Sequence, residues 1–195
     1  AFTLNNYADI LSKPFVDAGF AFNKVLSGQA VQKTRGEIIA NAIDNSLGEA
    51  LGQLYVKKYF TEAAKKRALE LVNNIQKAYA VRIDKLDWMS DSTKQKAKEK
   101  LFAITKKIGY PDKWRDYSQV TISKGKYFEN TVAAASNNYQ FNLAKLNKPV
   151  DKTEWFTTPS TVTAYNNPSA NEIVFPSAIL QPPYFDDAAD DALNY

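Results

Sequence analysis

Chemistry in this chain has to be sought among carboxylates and lysines, because its 195 residues include neither histidine nor cysteine. Ser-His-Asp triads, Cys-His pairs and the usual zinc sites are excluded by composition, and so are disulfides. The densest acidic stretch is Asp186-Asp-Ala-Ala-Asp-Asp191. A calcium loop of the EF-hand kind needs ligands at alternate positions, a central glycine and a terminal glutamate. The run has none of that spacing, and it reads as a solvated helix start, where aspartates face the positive end of the helix dipole. Asp84 with Asp87, and the isolated Glu129 and Glu154, have no spacing that implies paired acid–base work. Trp88, Trp114 and Trp155 read as packing anchors at helix ends and in the core.

The formal charge of +4 does not mark a nucleic-acid partner. Of 25 basic residues only Arg35, Arg67, Arg82 and Arg115 are arginines, and the lysines lie along helices beside acids. With 45% hydrophobic, 13% aromatic and 24% charged residues, the chain belongs to the soluble globular class and can bury a core. No run approaches the roughly 18 apolar residues of a membrane span, and Ala1-Phe-Thr-Leu-Asn5 lacks the basic start of a signal peptide.

These residues must be positioned by helices and a small β element. Apolar spacings of three and four predict a helix over residues 33–60, with Ile39, Ile43, Leu47, Leu51 and Leu54 on one face. A second helix starts at the N-cap Thr61 and carries Ala68, Leu71, Val72, Ile75, Tyr79 and Ile83 on one stripe. Ser90 and Asp91 open a third, which carries Ala97, Leu101, Ile104 and Ile108 and ends at Gly109 and Pro111. Two short helices broken at Ser12-Lys13-Pro14 are expected over residues 5–26, a loop over 112–122, and another helix from Ser123 or Lys124 to about Leu146. Six of the eight prolines lie in the last fifty residues. There Thr161–Tyr165 and Ile173–Phe175 have the β-branched and aromatic bias of strands, joined through a turn at Asn166–Asn171. The fold class is mainly α with a small β element, and the segment Thr161–Tyr165 can offer an edge to an extended peptide.

Several segments together resemble one family. Leu47-Gly-Glu-Ala-Leu-Gly-Gln-Leu-Tyr-Val56, Leu86-Asp-Trp-Met89 with Thr93-Lys94, Ile108-Gly-Tyr-Pro-Asp112, and Asn171-Glu-Ile-Val-Phe-Pro-Ser-Ala-Ile-Leu-Gln-Pro-Pro-Tyr-Phe185 are similar, in order and spacing, to the neprilysin-type zinc endopeptidases. These include the endothelin-converting enzymes and bacterial oligopeptidases. The resemblance covers the chain from about Pro14. It implies a helical lobe (residues 1–150, from the N-terminal peptidase part) plus a C-terminal β-hairpin from the catalytic lobe (151–195). It also implies a chamber that admits small peptides, and an extracytoplasmic, bacterial setting.

In that family the stretch ending Leu193-Asn-Tyr195 leads toward a helix bearing HExxH, whose histidines bind zinc and whose glutamate activates water. The resemblance therefore implies a fragment that holds no zinc and no catalytic residue of its own and needs the missing zinc-binding part of the same protein. A non-catalytic binding or scaffold protein of the same fold is the alternative. For substrate binding, the family's Asn-Ala-Tyr/Phe-Tyr strand aligns with Thr163-Ala164-Tyr165-Asn166. Ala164 matches and acts through its backbone. Thr163 replaces the asparagine, exchanging an amide that donates and accepts for a shorter hydroxyl. Ile179 and Tyr184 match positions that line the pocket for the side chain after the scissile bond, where phenylalanine is usual in place of Tyr184.

Overall fold

The computed structural model describes residues 7–195. It divides into two compact units: one runs up to Leu47 and resumes at Asp116–Val150, and the other comprises Gly48–Arg115 and Asp151–Tyr195.

In the first unit a short 3-10 turn at Ala8–Ile10 precedes α1 (Lys13–Ser27), with Ser12 at its N-cap and Pro14 in its first turn. The expected break at Ser12-Lys13-Pro14 is thus present, and residues 5 and 6 lie outside the described residues. Proline is tolerated there because the first-turn N–H groups lack helical acceptors anyway. Helix α2 (Arg35–Tyr59) opens on a capping box: Thr34 N–H donates to the Glu37 carboxylate at 2.8 Å, and Glu37 N–H to the Thr34 hydroxyl at 3.3 Å. Leu47 leaves helical geometry at φ −127 and ψ 36, which divides α2 where the two units divide.

The second unit carries the rest of α2, then α3 (Glu62–Asp84), α4 (Asp91–Phe102) and β1 (Thr105–Gly109). Thr61 and Ser90 cap α3 and α4 as expected, accepting from Ala64 and Thr93 N–H. Back in the first unit, α5 (Tyr127–Leu143) buries Ala134. The second unit then adds β2 (Tyr165–Asn167), β3 (Glu172–Pro176) and a short terminal helix, α6 (Asp191–Asn194).

Three expectations are corrected. The third helix stops at Phe102 instead of running to Ile108, because Thr105–Gly109 pairs in parallel with Glu172–Pro176 as β1. A ladder with a distant strand has overridden a helical apolar spacing. The first C-terminal strand lies at Tyr165–Asn167, later than Thr161–Tyr165, so Asn166 and Asn167 are strand residues and the turn is Pro168–Asn171. The helix stripes are also less buried than their periodicity suggests: Ile43, Leu54, Ile75 and Tyr79 are exposed, and Trp88 stands in solvent at 73% exposure, so it anchors nothing.

The sheet order is β1-β3-β2, with β1 parallel and β2 antiparallel to the central β3. Strand alternation gives it two faces. Ile108 joins Phe60, Ala64, Ala68 and Phe185 in the core, and Phe175 packs against them. The opposite face takes Lys107, Glu172, Val174 and Pro176 out of solvent. Alongside, Pro159 lies so close to α2 that a Cβ added to Gly52 would stand 2.7 Å from its Cδ, which is why the buried position is glycine.

Candidate functional site

The hairpin that carries the candidate substrate edge is set locally by its asparagines. Asn171 takes the left-handed conformation at φ +49, which asparagine tolerates better than most residues, and its amide donates to the Lys100 carbonyl at 3.2 Å. Asn166 spans the hairpin, donating to the Glu172 carbonyl at 3.0 Å. With β3 on one side, β2 is an edge strand of the three-stranded sheet. Its pairing begins at Tyr165 and stops short of Thr163 and Ala164, which continue toward the N-terminus with Thr163 half-buried and Ala164 exposed. Such an edge can receive an extended peptide main chain.

Behind the edge lies a buried ion pair that spacing along the chain did not reveal. Lys107 Nζ stands 2.6 Å from Glu172 Oε2, with the side chains 5% and 1% exposed. Lys107 also donates to the Glu154 carbonyl at 2.6 Å, and Asn167 donates to Glu172 Oε1 at 3.3 Å. Burial, and secondarily the charge of Glu172, push the Tyr165 hydroxyl above the usual tyrosine range. Nothing in composition flags this cluster. Its one signal is a charged residue at the head of the apolar run Ile173-Val-Phe-Pro.

Ile179 and Tyr184 come together at one apolar cavity of about 310 Å³, whose lining includes Leu71, Val72, Ile75 and Phe175. Thr163 and Ala164 are not in that lining. Tyr184 is 71% exposed, so its hydroxyl faces water. The acidic run forms a helix start as expected: Asp190 caps α6 by accepting from Ala192 N–H at 2.8 Å. Arg67 holds the run against α3, donating to the Asp187 and Ala189 carbonyls and to Asp191 at 2.7 Å.

Among the described residues no helix is long and apolar enough to cross a membrane. A mainly helical chain with one small mixed sheet and an open-edged hairpin defines the class. The chain belongs to peptidase family M13, whose models match residues 2–111 and 163–195. It is 34% identical over 194 residues to mouse membrane metallo-endopeptidase-like 1 and 35% identical over 209 residues to neprilysin-3 of Drosophila melanogaster. Those alignments take in 95% and 99% of this chain but 25% and 27% of the relatives, so the chain spans about a quarter of their length. The zinc metalloprotease of Mycobacterium tuberculosis in its open state superposes with a TM-score of 0.88 at 44% identity, covering 97% of this chain and 29% of that one. The resemblance to neprilysin-type enzymes read from the sequence motifs is borne out.

Proposed function

We propose that the chain is part of a zinc-dependent endopeptidase that hydrolyses peptide bonds in small peptides, and that its own share is scaffold and part of the substrate cleft. The observation that carries this reading is the open edge at β2, in the same unit as the cavity holding Ile179 and Tyr184. Ala164 backbone groups and the Thr163 hydroxyl take the peptide main chain, while Ile179 and Tyr184 receive the side chain after the scissile bond. Residues 1–150 are the helical region of the N-terminal peptidase part, and 151–195 begin the catalytic part. The separate family matches at 2–111 and 163–195 support that division.

The residues present do not fit a zinc site. The chain has no histidine, and among the described residues no group of three or more metal-binding side chains converges. The ion and the groups that hold it belong to the rest of the parent protein, which is this chain's necessary partner. Nucleic acid is not a partner. The setting is extracytoplasmic and bacterial, a reading supported by the word membrane in the mouse relative's name and by the mycobacterial neighbour.

The full-length parent is expected to bind stoichiometric zinc and cleave small peptides, and the 195-residue chain alone to do neither. Zinc binding with peptidase activity in the isolated chain would overturn this assignment. In the parent, Thr163→Asn is expected to change kcat/KM for small peptides by about fivefold, the worth of one hydrogen bond. An unchanged substrate profile would remove Thr163 from the site.

A further inference from the structure

The Lys107–Glu172 pair is an unusual expense for so small a sheet. The Lys65–Asp112, Arg67–Asp191 and Lys98–Asp84 pairs each leave one side chain more than half exposed, at 97%, 74% and 54%. Lys107 and Glu172 are instead almost wholly dehydrated, at 5% and 1%. Apolar residues of similar volume at such positions are often equally or more stabilising, so stability alone does not account for the pair. Its hydrogen bonds show what else it can do. Glu172 is gripped from two consecutive residues of the edge strand: Asn166 donates to its main-chain carbonyl at 3.0 Å and Asn167 to its carboxylate at 3.3 Å. Lys107 fixes that carboxylate from β1 and is itself tied to the Glu154 carbonyl.

The edge strand needs such a device. It has three residues, too few to set its register through ladder bonds and packing alone. A slip of one residue would turn every side chain to the other face and exchange the positions of Thr163 and Ala164. Burial of the Tyr165 side chain resists a slip at one end of the strand, but Asn166 is exposed and Asn167 only half-buried. Directional bonds to a fixed charge resist it much better.

We propose that the buried Lys107–Glu172 pair is a positioning element that locks the register of β2 through Asn166 and Asn167, and so sets which backbone groups of Thr163 and Ala164 face an incoming peptide. This rests on the reading of that edge as peptide-binding. Lys107 and Glu172 touch no substrate, and they act through the strand. Because the edge would hold the peptide main chain in ground state and transition state alike, disturbing it raises KM and spares kcat.

The test uses the full-length parent enzyme. Glu172→Gln keeps the shape and an acceptor for Asn167 but leaves the Lys107 ammonium unpaired, whereas Lys107→Met combined with Glu172→Gln removes both charges. KM for a small fluorogenic peptide is expected to rise about fivefold in the single variant, with kcat and zinc content within about twofold, and to stay raised in the double variant, where no charge is left to hold Asn167. Amide hydrogen exchange should speed up at Tyr165–Asn167 in the single variant and not at Ile108 or in α3. A wild-type KM in Glu172→Gln or in the double variant, or exchange that rises evenly across the unit, would overturn the proposal. If the wild-type parent cleaves no peptide, the peptide-binding reading fails by itself, and the exchange pattern still decides whether the pair sets the register.

Discussion

The two faces of the three-stranded sheet are buried by opposite means. Toward α3, Ile108 packs with Phe60, Ala64, Ala68 and Phe185, and Phe175 lies against them. Burial of this kind stabilises in proportion to area and is indifferent to direction. On the other face Lys107 and Glu172 are dehydrated together, and each bond they make has one donor and one acceptor at fixed places. The first face holds the sheet to the helix. The second says which residue stands opposite which. A small sheet that must present an edge in one register gains from having both.

The contrast breaks most sharply on the charged face. Lys107→Ala leaves Glu172 buried without its cation and is expected to lower the unfolding free energy by about 3–5 kcal/mol, read by denaturant melts, with Lys107→Met/Glu172→Leu regaining most of it. A loss below about 1 kcal/mol would show that water compensates the carboxylate and that the two faces are not so different. The apolar face should yield less. Ile108→Ala, at a residue 3% exposed, is expected to cost about 2–4 kcal/mol through lost burial and a residual cavity, read by the same melts. A loss below about 1 kcal/mol would mean that this face is not held by packing.

Smaller effects sharpen the same division. Thr61→Ala removes the acceptor for Ala64 N–H at the start of α3 without touching either face, and about 1 kcal/mol of thermal or chemical stability should go with it. Glu49 is half-buried in the same unit. Burial holds its carboxyl above the usual range, opposed by the Arg115 N–H it accepts at 2.7 Å. Its folded form therefore binds a proton more tightly than its unfolded form, so stability falls as pH rises from the ordinary carboxyl range through the raised value. Glu49→Gln should remove that slope from a pH series of melting temperatures, and an identical series would assign the slope elsewhere.

The helices and their caps were legible in the sequence because they depend on neighbours three and four residues away. Thr61 and Ser90 cap as their types suggest, and the Gly-Tyr-Pro turn and the Asn171–Phe185 motif carried the family likeness. The strands were legible only in part. Residues 173–175 have a strand composition and lie in β3, but Ile104 and Ile108 sit at helical spacing from Leu101 and were assigned to a helix. What moved Thr105–Gly109 into β1 is a partner more than sixty residues further on, Glu172–Pro176. Pairing energy of that kind does not exist until the chain has closed the loop.

The same reason separates what belongs to the sequence from what belongs to the fold. Composition alone ruled out a histidine or thiolate metal site within these 195 residues, and local periodicity marked where each long helix begins. The register of β2, the meeting of Ile179 with Tyr184 at one cavity, and the burial of Lys107 against Glu172 were decided only by tertiary structure. A charge shows that it is buried only when the residues that dehydrate it have arrived, and those come from parts of the chain that share no spacing with it.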